Sequence, residues 1–248
     1  ECAELARPCP HVDEVLTFDL RAYRPKERGT GLGALPAFFL LLSDLRARRF
    51  DLAVNLQRIA TLGGALRMSL LFGLLGARRS AGRWSRGLGA GFDIRGPDLE
   101  HQTDAMLGLA RVLGGPADDA LPELWLPAES LGGVGMPAGL APRRFLVFNT
   151  GSNRTSARLP AHRAAEIGRA LRSAFSLPLV WTGATGERER IEGLCAAVGP
   201  DSVNLAGRTA LCDLALVLRS AGAVVSTDTG PMHMAAAVGA PLVALFGP

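Results

Sequence analysis

Aromatic side chains are scarce: one Tyr, three Trp and ten Phe make up 6% of the 248 residues. Against them stand 30 Gly and abundant Ala and Leu, a balance that disfavours an all-β sandwich and favours helices joined by Gly-rich turns. No aromatic residues interleave with the basic clusters, so the stacking platform of a nucleic-acid binder is missing, and DNA and RNA are excluded as partners. Cysteine is sparse too. Cys2, Cys9, Cys195 and Cys212 form no CxxC pair and no Cys/His set at zinc spacing, so no metal site is expected. Cys195 and Cys212 fall in apolar helical patterns, which predicts reduced, packed thiols and a cytoplasmic compartment. No signal peptide opens the sequence. The longest apolar runs, Leu35 to Leu42 and Met68 to Leu75, fall short of the ~20 residues needed to span a bilayer, so the chain is expected not to cross one.

What is present is a globular composition, 48% hydrophobic and 20% charged, on a length that suits two ordinary domains better than one. The net charge of +4 comes largely from Arg, clustered at Arg46, Arg48 and Arg49 and at Arg78, Arg79, Arg83 and Arg86. Such clusters either are solvated helix ends and loops or serve an anionic acceptor or a membrane surface, and the sequence leaves both open.

Periodicity gives an alternation of strands and helices. Val12 to Phe18 reads as a strand, followed by a polar stretch from Arg21 to Gly33. Then come a helix over Leu35 to Arg48, a short buried strand over Phe50 to Leu56, a helix over Ile59 to Leu75, a weak strand at Arg78 to Ala81, and a helix over His101 to Leu113 stopped by Gly114 and Gly115. The Pro- and Gly-rich text that follows reads as a connection, giving a first domain over 1–115, a linker over 116–143 and a second domain over 144–248. In the second domain the predicted strands are Phe145 to Asn149, Pro178 to Thr182, Val203 to Leu205, Ala223 to Ser226 and Leu242 to Phe246. The helices are Ala161 to Phe175, Glu187 to Val198, Leu211 to Ser220 and Pro231 to Val238. Short apolar strands alternating with helices predict an α/β fold, with two Rossmann-like parallel sheets covered by helices. The first domain lacks an obvious opening strand and the second a closing helix, so the chain is expected to be cut short at both ends.

Three loops carry candidate chemistry. Ser226 to Gly230 follow a strand and precede a helix that Pro231 suits as its first residue, with Thr229 or Gly230 as cap. Free N–H groups and the helix dipole there make a seat for a phosphate or diphosphate. His233 can donate to that anion or to a sugar hydroxyl, or be a packed or capping histidine; Asp228 can accept from sugar hydroxyls or cap the helix. The second loop runs after Asn149 through Ser152, Asn153, Arg154 and Arg158, whose hydroxyls and guanidinium groups suit phosphate oxygens, unless the loop is merely solvated. The third places Glu187 after a Gly-rich turn, where a carboxylate can hold a ribose diol or cap its own helix.

These residues resemble a known family. STDTGPMHMAAAVGAPLVALFGP closely resembles the D-T-G-x-x-H-x-A-A-A run and F-G-P ending of the heptosyltransferase-like glycosyltransferases, family 9. FDLAVNLQ, LGARRSAGR and VNLAGRTALCDLALVLRSA are similar to further family segments, in order along the chain. The resemblance implies a GT-B architecture, with an acceptor domain first, a donor domain second and a cleft between them. It implies an inverting transfer of a heptose or related sugar from an ADP-sugar to a lipopolysaccharide-core or similar glycan, an anionic glycolipid met at the cytoplasmic face of the inner membrane. It further implies that Asp228, Thr229, Gly230 and His233 contact the diphosphate and sugar, that Ser152 and Asn153 match the phosphate-contacting loop, that Glu187 holds the ribose, and that neither metal nor cofactor is needed. Arg58 and Arg67 are candidates for the acceptor's anionic groups. Two departures stand out. Ala157 occupies the place of the family's donor-contacting Lys, with Arg154 or Arg158 as candidate replacements. The family's S-S-x-G-D loop, expected to carry the catalytic base, has no counterpart in these residues. A non-catalytic nucleotide-sugar-binding protein and a GT-B sugar-nucleotide epimerase remain the alternatives.

Overall fold

The computed structural model describes residues 2–18, 35–83, 91–97, 101–115, 121–127, 140–151 and 158–247. They fall into two compact units, Thr17–Leu121 and Glu1–Leu16 with Pro122–Pro248.

The unit of residues 17–121 has a three-stranded parallel sheet and three helices. Its elements are α2 (Leu35–Ala47), β1 (Leu52–Asn55), α3 (Leu62–Leu75), β2 (Arg79–Arg83), β3 (Ile94–Gly96) and α4 (Gln102–Val112), with strand order β1-β2-β3. Helix α3 starts where Thr61 accepts the Gly64 amide on its hydroxyl at 3.1 Å, and it stops at Gly76, whose φ of +65° is left-handed. The Arg clusters are partly engaged within this unit. Arg48 pairs with Asp44 at 2.8 Å and Arg78 with Asp51 at 3.0 Å, Arg46 donates to the Leu74 carbonyl, and Arg83 is buried in β2 against Gln102. Arg86 lies outside the described residues.

The second unit carries the larger sheet. After α1 (Ala3–Ala6), its elements are β4 (Leu146–Asn149), α5 (Ala161–Phe175), β5 (Leu179–Thr182), α6 (Arg188–Val198), β6 (Ser202–Asn204), α7 (Leu211–Ser220), β7 (Ala223–Thr227), α8 (Gly230–Ala237) and β8 (Leu242–Leu245). All five strands are parallel, in the order β6-β5-β4-β7-β8. The LVFN of β4 and the LVWT of β5 are buried at every position, as expected of strands covered on both faces. Val147, Val180 and Val224 cluster with Leu214 to Leu218 of α7 and with Met234 and Ala235 of α8. Leu146, Phe148, Leu179 and Trp181 cluster with Ala164 and Ala165 of α5 and with Ile191 and Leu194 of α6. The Phe148 and Trp181 rings stack at 5.0 Å, and α5 approaches them through Gly168.

Two expectations need correcting, and one strand was not expected. Val12 to Phe18 forms no strand: Asp13 and Glu14 are exposed, and no strand among the described residues supplies a ladder for it. Strand β3, three residues in a charged and Gly-containing stretch, carries too short a pattern to be read. The first sixteen residues pack with the second unit rather than with the first, because Glu4 accepts the Cys212 amide at 3.0 Å and thereby caps the start of α7. The remaining helices and strands lie within a few residues of their expected ends. Among the described residues no helix is long and apolar enough to cross a membrane.

Two outcomes follow from this packing. A Cβ on Gly168 would stand 2.9 Å from the buried Trp181 ring, whereas one on Gly193 in α6 meets nothing within 4 Å. Gly168→Ala is therefore expected to cost ~1–3 kcal/mol by overpacking, and Gly193→Ala to stabilise by ~0.5–1 kcal/mol, in urea denaturation. Cys195 and Cys212 are buried free thiols, the first pushed up to about 11 by burial and then by Glu192, the second raised by burial and then by Glu4, while Cys2 is exposed. At pH 8 iodoacetamide should alkylate Cys2 and leave Cys195 and Cys212 until the protein is unfolded, as read by peptide mass spectrometry.

Candidate functional site

The chain leaves β4 toward β5 and β6 on one side of the sheet, then returns to β7 and β8 on the other. The reversal lies between β4 and β7, and in open parallel sheets the crevice beyond the carboxyl ends of such a strand pair is where ligands bind. The pairing puts Asn149 opposite both Ser226 and Thr182, so β4, β5 and β7 end at one level. Each of the three candidate loops leaves from that level.

The edge is built from buried polar residues. Asn149 is 2% exposed, Thr150 0%, Thr182 1%, Ser226 0% and Thr227 4%. Asn149, Thr182 and Ser226 continue the row of Val147, Val180 and Val224 one step toward the carboxyl end, so the change from valine to polar residues marks where core gives way to site. The Asn149 amide donates to Ser226 Oγ at 3.1 Å and to Thr229 Oγ1 at 2.9 Å. The Thr227 hydroxyl donates to the Gly151 carbonyl at 2.6 Å. Together these bonds tie the loop after β4 to the loop after β7. None of the four side chains that make them, Asn149, Ser226, Thr227 and Thr229, was expected to act this way; the signal in the sequence was a polar residue ending each of three apolar strands.

Thr229 is the N-cap residue of α8, but its side chain does not cap. It donates to the Thr227 carbonyl and accepts from Asn149. The amides of Met232 and His233 turn back to the Thr229 carbonyl, and Pro231 has no N–H. The expected row of free amides therefore narrows to that of Gly230, which has no partner among the described residues. In front of it stand two open side chains, His233 at 74% and Asp228 at 55% exposure, with Nε2 and Oδ1 3.9 Å apart.

Glu187 ends a 3-10 turn (Thr185–Glu187) ahead of α6. Its two oxygens have separate fates. Oε2 accepts the Ala184 amide at 3.0 Å, while Oε1 is buried without a hydrogen-bond partner. Of the two expected readings of this residue, the structure shows the cap, at Oε2; Oε1 makes no hydrogen bond. The group sits against backbone, since a Cβ on Gly151 would lie 2.6 Å from either oxygen. Thr182 Oγ1, at the end of the same strand, is likewise buried and unpartnered.

Arg190, which the sequence reading passed over, donates from Nη1 to Thr150 Oγ1 at 3.1 Å and from Nη2 to the Leu159 carbonyl at 2.6 Å. Burial lowers its pKa, Glu187 opposes that shift and Arg158 adds to it. The guanidinium remains a cation. Arg158 is exposed beside it, whereas Ser152, Asn153, Arg154 and Ala157 lie outside the described residues. Arg58 and Arg67 belong to the other unit. Arg58 is exposed after β1, and Arg67, exposed on α3, donates from Nε to the Gly63 carbonyl of its own helix. No group of three or more His, Cys, Asp or Glu side chains among the described residues gathers to hold a metal.

The profile of Glycosyltransferase family 9 (heptosyltransferase) matches residues 39–248. Lipopolysaccharide heptosyltransferase 1 of Pseudomonas aeruginosa is 36% identical over 105 residues, 42% of this chain and 29% of that protein. Lipopolysaccharide core heptosyltransferase OpsX of Haemophilus influenzae is 23% identical over 209 residues, 83% of this chain and 59% of that protein. The matches thus span less than two thirds of these relatives' lengths. Among solved structures, E. coli heptosyltransferase WaaC with ADP-2-deoxy-2-fluoro heptose gives a TM-score of 0.76 at 20% identity, over 99% of this chain and 76% of that one. The family 9 glycosyl transferase from Veillonella parvula gives 0.77 at 20% identity, over 99% and 70%. The fold is accordingly GT-B.

The tie between the two loops is measurable. Asn149→Ala removes both donors from a buried position and should lower stability by ~1–3 kcal/mol in urea denaturation. An unchanged midpoint would mean the loops are held some other way.

Proposed function

Because the chain belongs to glycosyltransferase family 9, the heptosyltransferase family, we propose that it carries the ADP-heptose site of an enzyme that builds a lipopolysaccharide core or a similar glycan. One observation supports this reading above others: three strands end in register at the sheet's reversal point, where the Gly230 amide, His233, Asp228 and the spare oxygen of Glu187 are all unspent on the fold. The positive end of the α8 dipole, equivalent to roughly half a charge, favours the diphosphate there. The diphosphate sits at Gly230, the sugar hydroxyls at Asp228 and His233, and one ribose hydroxyl donates to Glu187 Oε1. Ser152, Asn153, Arg154 and Arg158 complete the phosphate side by family likeness. Arg58 and Arg67 meet the anionic acceptor.

The reaction in this reading is an inverting displacement. An acceptor hydroxyl, losing its proton to the family's Asp, forms the new bond to the anomeric carbon. The bond from that carbon to the β-phosphate oxygen breaks on the opposite face, and ADP departs with the charge. The Gly230 amide, already fixed by the turn ahead of α8, holds that developing charge without reorganising, which is how such sites lower a barrier. The donor substrate is an ADP-sugar, no resident cofactor is involved, and the enzyme works at the cytoplasmic face of the inner membrane.

A thermal-shift panel on the full-length protein tests the reading. ADP-heptose at about a hundredfold its Kd should stabilise by ~2.7 kcal/mol, a rise of several degrees. UDP- and GDP-sugars should do less, and His233→Ala should abolish most of the rise. Stabilisation by UDP- or GDP-sugars alone would overturn the donor assignment.

A further inference from the structure

We infer that Arg190 is a positioning residue for the donor, bracing from beneath the sheet edge on which the nucleotide rests and holding the Glu187 carboxylate against it. The inference rests on the donor-site reading above and adds to it a residue that touches no substrate.

The argument starts from what a single guanidinium spans. Nη1 binds the Thr150 hydroxyl where β4 ends, and Nη2 binds the Leu159 carbonyl just ahead of α5. These two points lie nine positions apart in sequence, and the described chain between them is Gly151 and Arg158. The planar fork of arginine fixes two acceptors at a set distance, which a lysine on a flexible stem cannot do. Thr150 is fully buried, so its hydroxyl has no water to exchange for this bond.

Arg190 also stands one turn after Glu187 in the chain, and the two interact by charge. Glu187 has one oxygen on the Ala184 amide and one spare, and the whole group lies close against Gly151, the residue after Thr150. Thr150, Gly151, Glu187 and Arg190 therefore form one connected patch. A cation beneath it attracts the Glu187 carboxylate and, through Thr150, keeps Gly151 in place as the floor the carboxylate rests on. The Asn149 and Thr227 bonds hold the same edge from the β7 side. The edge is thus braced from both sides, and Arg190 is the brace from the α6 side.

The test uses the full-length protein with ADP as probe in calorimetry and the donor sugar in kinetics. Arg190→Gln should weaken ADP binding about tenfold, equivalent to roughly 1.4 kcal/mol. The donor KM should rise by a similar factor with kcat and the acceptor KM little changed, a split that loss of fold would not produce. Arg190→Lys should recover only part of the loss. Thr150→Val, which keeps the shape and deletes one acceptor, should weaken ADP binding less. The double variant should be no worse than Arg190→Gln alone, because both remove the same bond. Unchanged ADP affinity in Arg190→Gln, or effects that multiply in the double variant, would overturn the inference. If Arg190→Gln fails to fold by circular dichroism, Thr150→Val decides: wild-type affinity there overturns it as well. Absence of ADP binding by the wild type would instead overturn the donor site itself.

Discussion

The arrangement depends on parallel strands β4 and β7 lying side by side in register although α5, β5, α6, β6 and α7 separate them in sequence. Right-handed crossovers running in opposite directions from the pair put α5 and α6 on one face and α7 and α8 on the other, so the gap above the two strand ends stays uncovered. The row above Val147 and Val224 then switches to Asn149 and Ser226. A buried amide facing a buried hydroxyl has few ways to satisfy itself, and here it does so by reaching up to Thr229. The same pairing that closes the core therefore fixes the position of the loop ahead of α8.

Much of the fold could be read from residue order. The second unit was legible because its strands are short, apolar and bounded by glycine and polar residues, and helices α5 and α7 have the same first and last residues as expected. The first unit was less so. Strand β3 has three residues, one of them Arg95, and its buried residue, Gly96, is covered by Leu109 of α4 rather than by anything its own composition signals. Val12 to Phe18 has strand propensity but no strand to pair with among the described residues, and propensity without a ladder does not make a strand.

The site was legible as loops and less so as atoms. Asp228, Thr229, Gly230 and Glu187 do gather at one edge, as the strand-loop-helix pattern implied. Which atoms stay available was not readable. Thr229 spends its hydroxyl on Asn149 and on the Thr227 carbonyl, two first-turn amides fold back on Thr229, and Glu187 has one oxygen on the cap and the other buried without a partner. Arg190 escaped notice because nothing in ERERIEG distinguishes a helix arginine facing the loop from one facing solvent. Its partners lie 40 and 31 residues away, and only the fold brings them near.

The Glu4 contact with α7 links residues 208 positions apart. Helix α1 has four residues, far fewer than the ~12–15 a helix needs to persist alone in water. Its bond to α7 therefore exists only once residue 212 is in place. The unit spanning 17–121 is translated in the meantime, inserted between two pieces of its neighbour. The second unit is thus discontinuous in sequence, and the bond from Glu4 to the first turn of α7 fastens its two pieces across everything that lies between them.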